Sequence, residues 1–427
     1  MERTRIAYQA SLEFARQMDR QDPLKQFRSH FHLPQQPNGQ PCLYFCGNSL
    51  GLQPRGVRAA VEEVLHDWER MGVEGHFHAR HPWMPYHEFL TRAMAGVVGA
   101  RPQEVVVMNT LTVNLHLMMV SFYRPSPQRH KILIEYDAFP SDKYAVESQI
   151  RFHGYDPAEA LIELRPRPGE ACLRMEDIAE VIESQGNEIA LILFGVTNYY
   201  TGQLLDMQAI TRLGHAQGCV VGFDCAHGAG NVPLQLHQSG ADFAVWCSYK
   251  YLNSGPGSLA GCFVHERHAH QPDLPRFAGW WGHNKQTRFQ MRHAFDPIPG
   301  AEGWQLSNPP ILSMAAIRAS LELFEQAGMD QLRQKALLLT GYLEYLIDEL
   351  KDERIHLITP RDPQARGCQL SVQVRNAGKQ LFERLTAQGV VADWREPDVI
   401  RLAPVPLYNS FEDVYTFSTI FNNVLQA

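Results

Sequence analysis

The chain has 427 residues, 44% of them hydrophobic, and 39 Lys and Arg against 46 Asp and Glu give it a formal net charge of -7. This composition predicts a globular protein with an ample core, and the length predicts two or three domains. No basic block dominates, which argues against a nucleic-acid partner, and no apolar run approaches the roughly 20 residues needed to span a bilayer.

In chain order, the first forty residues read as helical and then loop-rich, with a turn cluster at 34–39. The charged start, Met1 to Arg20, lacks the apolar centre of a signal peptide, so a cytoplasmic protein is expected. A helix is predicted from near Pro54 to near Arg70 on the spacing of Val57, Val61, Val64 and Leu65. From about residue 100 strands and helices alternate. Strands are predicted at 105–108, 131–136, 189–194, 219–223, 243–246 and 261–264, and helices at 110–122 and 206–217. Several strands are apolar on both faces, which predicts a mainly parallel sheet covered by helices. Beyond residue 310 the pattern changes to two long amphipathic helices, 311–327 and 329–351, followed by strands at 369–374 and 399–402.

Chemistry concentrates at strand ends, where open α/β sheets bind ligands. Asp224 closes one apolar run, and Lys250 follows the next among Trp246, Tyr249 and Tyr251, just before Ser254-Gly255-Pro256-Gly257. Taken singly, Asp224 reads as a helix cap and Lys250 as a surface lysine. Together with His227 they suit pyridoxal 5'-phosphate (PLP): a lysine in an apolar pocket holds the aldehyde as a Schiff base, and an ionised carboxylate keeps the pyridine nitrogen protonated. Leu111 and Thr112 open a helix, and the free N–H groups of its first turn suit a phosphate, although Thr112 equally suits a plain cap. Phe139-Pro140-Ser141-Asp142 is either a capped turn or a site where Phe139 stacks on a flat ring. His76, His78 and His81 lack the spacing of a metal site, and the eight cysteines show no CxxC pair, so no metal and reduced thiols are expected.

Several stretches then carry a resemblance: 47–54 (Gly-Asn-Ser-Leu-Gly-Leu-Gln-Pro), 108–116, 138–142, 200–203, 222–224, 247–253, 307–310 and 401–409. In this order the chain resembles the kynureninases, PLP enzymes of fold type I in the aspartate aminotransferase superfamily, over nearly its whole length. The resemblance implies an α/β fold in three parts: an N-terminal segment (1–65) packing with the small domain, a PLP-binding large domain (66–310) with a mainly parallel seven-stranded sheet, and a smaller α+β domain (311–427). It also implies a homodimer acting on small-molecule kynurenines, with no nucleic acid or membrane partner.

By the same resemblance Lys250 is the Schiff-base lysine and the acid/base at Cα, with Tyr249 reaching the phosphate and relaying a proton. Asp224 pairs with the pyridinium and His227 lies nearby. Leu111 and Thr112 bind phosphate, Phe139 stacks on the ring and Asp142 contacts the cofactor. Trp280 and Asn308 line the cofactor and substrate pocket from the partner subunit, and Arg401 clamps the substrate carboxylate. His76 is either a surface-loop histidine or, with Asn308, bonds a 3-hydroxyl on the substrate ring. One departure stands out: Gly195, with Thr197 two residues on, occupies a place where family members often carry a hydroxyl. The implied reaction is hydrolysis of L-kynurenine or its 3-hydroxy form to an anthranilate and L-alanine, a step of tryptophan catabolism. The rivals are a class V aminotransferase, a cysteine desulfurase, and a non-catalytic α/β binding protein.

Overall fold

The computed structural model describes residues 7–271 and 273–426. In chain order its strands are β1 (Leu43–Tyr44), β2 (Val105–Met108), β3 (Lys131–Glu135), β4 (Leu161–Leu164), β5 (Ile189–Gly195), β6 (Val220–Asp224), β7 (Phe243–Cys247), β8 (Ala260–Val264), β9 (Ile355–Leu357), β10 (Leu370–Val374), β11 (Val390–Val391), β12 (Asp393–Arg395) and β13 (Val399–Leu402). Seven of them form one sheet in the order β2-β8-β7-β6-β5-β3-β4. Only β8 runs against its neighbours; the remaining pairs are parallel.

The apolar strands are apolar on both faces because helices cover both. Alternate residues go to opposite sides: Ile132, Ile134, Leu191 and Leu193 enter one core, and Leu133, Ile192, Phe194 and Phe223 the other. Helix Ile311–Ala327, which the sequence pattern assigns to the smaller unit, packs on Gly56–Met71 and Glu88–Val98. Its Met314, Ile317, Leu321 and Phe324 join the core of the large sheet.

A second, antiparallel sheet has the order β12-β13-β10-β9. Its core contains Leu339, Leu343, Leu370, Val372, Ile400 and Phe417, together with Ala15 and Phe45 from the start of the chain. Helix Leu12–Gln21 lies on helix Phe411–Gln426, and β1 pairs with β11 in parallel. The helical reading of the first residues falls partly on 1–6, outside the described residues.

Three elements depart from the sequence expectation for physical reasons. The stretch read as a turn at Phe139 opens a 13-residue helix, Pro140–Phe152, with Pro in the first turn. Edge strand β4 escapes notice because it is short and half-buried. Helix Phe411–Gln426 receives its cap from a distance: Asp19 accepts from the N–H groups of Phe411 and Glu412.

Candidate active site

Strands β3, β5 and β6 end side by side, and their last residues are Glu135, Gly195 and Asp224. Above these ends lies a cavity of about 190 Å³ lined by these three residues and by Leu111, Thr112, Phe139, Ser141, Asp142, Thr197, Tyr199, Ala226, His227, Tyr249 and Lys250. Most of the residues singled out from the sequence therefore meet in one place.

Two helices point their N-termini at the cavity. Thr110 heads Leu111–Phe122 and Phe139 heads Pro140–Phe152, and neither side chain caps its own helix. In the first helix the N–H groups of Leu111 and Thr112 precede the first intrahelical bond; in the second, Pro140 has no N–H and Asp142 N already donates to Phe139 O, which leaves Ser141 N as the donor there. Thr112 Oγ1 and Ser141 Oγ lie 2.9 Å apart and tie the two ends together. Free donors and two positive dipole ends make this corner an anion cradle.

The floor is acidic. Burial, then Asp224, pushes the Asp142 carboxyl well above the usual carboxylate range, and Asp224, hydrogen-bonded to Asp142, is also raised by burial. Asp224 Oδ1 accepts from Ala226 N at 2.6 Å. We assign the shared proton to Asp142, which leaves Asp224 as the carboxylate of the pair. Glu135 accepts from Gly195 N with both oxygens, at 3.1 and 3.2 Å, and its burial pushes it up to about 7. A Cβ on Gly195 would stand 2.8 Å from Glu135 Oε1, so the bare glycine is what lets this carboxylate sit there. The pocket around Lys250 is thus acidic, not apolar as its flanking aromatics suggest.

Lys250 Nζ lies 5.7 Å from the centre of the Phe139 ring, and that ring meets Tyr199 edge-on at 5.3 Å. The glycines of 47–51 have a local reason here: Gly51 N donates to Tyr249 O, and a Cβ on Gly51 would stand 2.3 Å from Lys250 O. Burial and the neighbouring Cys247 raise the Tyr249 phenol to about 12, so it is a proton donor at neutral pH. Burial, then Lys250, holds His227 well below its ordinary value, as a neutral imidazole.

Among the described residues, three buried polar atoms around the cavity have no partner: Asp142 Oδ1, Thr197 Oγ1 and His227 Nδ1. Buried polar groups in folded proteins are paired, so this set calls for a polar ligand. A carboxylate floor suits a pyridinium, the paired helix ends suit a phosphate, and Phe139 with Lys250 suits a flat ring bearing an aldehyde. The residues fit PLP.

Other predicted residues lie outside this cavity. Arg401 is buried on β13, is bound to Asp393 and to Tyr199 O, and is not among the residues that line the cavity. Trp280 is exposed and lines a separate hollow with His283, Arg288 and Phe295. Asn308 is exposed, and His76 bonds Val73 O through Nδ1 and meets Trp83 edge-on. Sequence reasoning overlooked Glu135, Ser141 and Tyr199. The rule that singled out Asp224, a carboxylate closing an apolar run, also holds for Glu135 after Ile132–Ile134.

Solved structures share the fold. An apo cysteine desulfurase from Thermococcus onnurineus NA1 matches with a TM-score of 0.75 at 16% identity, covering 90% of this chain and 95% of that one. A mutant of C-DES with glycine covalently linked to the PLP cofactor matches with 0.76 at 16%, covering 92% and 98%. The fold is that of the fold-type-I PLP enzymes. Among the described residues no cysteine lines the cavity, and burial raises the nearby Cys247 thiol to about 11.

Curated relatives narrow this class. A kynureninase from Myxococcus xanthus is 61% identical over 97% of both chains, and one from Koribacter versatilis 60% over 96% of this chain and 97% of its own. One from Stenotrophomonas maltophilia is 56% identical over 94% and 95%. The family model for the kynureninase C-terminal domain matches residues 332–421. The chain belongs to the kynureninase family.

Proposed function

We propose that this chain catalyses the PLP-dependent hydrolysis of L-kynurenine, its 3-hydroxy form or both, giving an anthranilate and L-alanine in tryptophan catabolism. The observation that carries this reading is a cavity fitted to PLP, with Lys250 facing the Asp224–Asp142 pair, in a chain 61% identical to a kynureninase.

Bound PLP supplies an electron sink for the bond cleavage. Asp224 holds the proton on the pyridine nitrogen, and Asp142 steadies Asp224 by donating to it. The first-turn N–H groups at Leu111 and Thr112, together with Tyr249, would hold the phosphate, and Phe139 would stack on the ring. Lys250 Nζ takes the proton from the substrate Cα, and the Tyr249 phenol relays one. Arg401 clamps the α-carboxylate with its planar fork, which fixes the substrate's orientation. Trp280 and Asn308 act from the partner subunit of a cytoplasmic homodimer, and His76 with Asn308 bonds the 3-hydroxyl. Trp280 and Asn308 do not line the same-chain cavity, which fits a site completed by a second copy, and symmetric dimers are the commonest oligomers. Among the described residues no helix is long and apolar enough to cross a membrane.

The test is product analysis of the PLP-loaded protein with each substrate. Alanine and an anthranilate released by the wild type and not by Lys250→Ala support the reading. A PLP absorbance band without those products overturns it. Equal kcat/KM for the two substrates removes the role given to His76 and Asn308.

A further inference from the structure

We propose that Asp393 and Arg395 act as positioning residues, and that with Arg401 they form a two-arginine, one-aspartate subsite for the substrate carboxylate. This rests on the role proposed above for Arg401.

The geometry is set by the small sheet. Asp393 on β12 stands directly opposite Arg401 on β13, and Arg395 stands two residues on, so all three side chains share one face. Arg401 Nη2 lies 2.7 Å from Asp393 Oδ2, and Nη1 donates to Tyr199 O at 2.6 Å. Arg395 Nη2 donates to the same Asp393 oxygen at 3.4 Å, and its Nε lies 3.2 Å from the other. One carboxylate thus holds two guanidinium groups.

Exposure divides the roles. The Arg401 side chain is 1% exposed and that of Asp393 11%, whereas Arg395 reaches solvent at 37%. A guanidinium buried to this degree needs an anion beside it. Asp393 supplies that anion and, with Tyr199 O, fixes the plane of the fork. Arg401 Nε is buried without a partner, which leaves a donor unspent. Tyr199 lines the cavity, so the anchored guanidinium is hydrogen-bonded to a residue of its wall. Its field reaches the cavity: His227 feels both Arg401 and Arg395.

Charge explains the second arginine. Asp393 alone with Arg401 would be neutral, and an arriving carboxylate would meet the repulsion of Asp393. Arg395 leaves the cluster at +1, the charge that a single carboxylate cancels. Specificity for an α-amino acid over the corresponding amine then comes from all three residues.

The test uses the PLP-loaded enzyme and compares L-alanine with ethylamine, which lacks only the carboxylate. Dissociation constants are read from the shift of the cofactor absorbance band, beside thermal melting. Asp393→Asn is expected to reduce the preference for alanine by about tenfold or more, and Arg395→Gln by about threefold, with ethylamine binding unchanged. Equal weakening of both ligands, or an unchanged preference, overturns the proposal. Should Asp393→Asn fail to fold, the more exposed Arg395→Gln decides alone. Arg401→Gln separates the two readings. Lost preference there, with Asp393→Asn and Arg395→Gln silent, sinks only the present inference; no loss in Arg401→Gln sinks the carboxylate clamp itself.

Discussion

Two buried aspartates sit at opposite ends of adjacent parallel strands and behave in opposite ways. Asp242 immediately precedes β7, and its carboxylate takes Val221 N at 2.8 Å, His215 Nε2 at 2.9 Å, His268 Nε2 at 2.8 Å and the Arg267 guanidinium at 3.0 Å. Although burial opposes it, these partners hold Asp242 well below the usual carboxylate range. Asp224 ends β6 with one backbone donor and a second acid for company, and its proton affinity rises. Burial is similar; the supply of donors differs. A saturated carboxylate locks one end of the sheet, while an unsaturated one at the other end stores demand for a cation, and a pyridinium meets it.

This contrast can be broken at several points. Lys250→Ala carries the largest expected effect, a loss of kcat/KM of about a thousandfold or more, measured by anthranilate release. Asp224→Asn is next: kcat/KM should fall about a hundredfold and PLP should bind more weakly in a spectroscopic titration, while the cofactor-free protein keeps its stability because a poorly paired charge is gone.

Asp242→Asn should do the reverse. It should cost about 3 kcal/mol in urea unfolding and leave kcat per folded molecule unchanged. The pH dependence has a definite sign. The Asp242 carboxyl is depressed on folding, so its stabilisation is present above the unfolded value of 3.8 and drains away as pH falls below it. Acid unfolding curves of the variant should be flatter there.

The smallest effect sharpens the acidic end. Glu135 titrates near 7 when folded against 4.5 for the free group, so between these values the folded protein holds more protons and loses stability as pH rises. Glu135→Gln should remove up to about 2 kcal/mol of that decline in the cofactor-free protein, read as melting temperature between pH 5 and about 7.

The sequence by itself made six of the large sheet's seven strands legible, because each is a short run of apolar residues suited to burial on both faces, as in Ile189–Phe194; it did not reveal the half-buried edge strand β4. It also determined that Asp224 and Lys250 belong to one chemistry, since both lie just beyond such runs. Tertiary structure alone decided the rest. Glu135 becomes a site residue because β3 lies next to β5 in the sheet, and its carboxyl fits because Gly195 has no side chain. Asp393 meets Arg401 through strand register, and Tyr199 joins them from 202 positions away through a single carbonyl. A side chain's partners, and with them its charge, depend on strand order and on what covers the strand ends, and neither is written in local sequence.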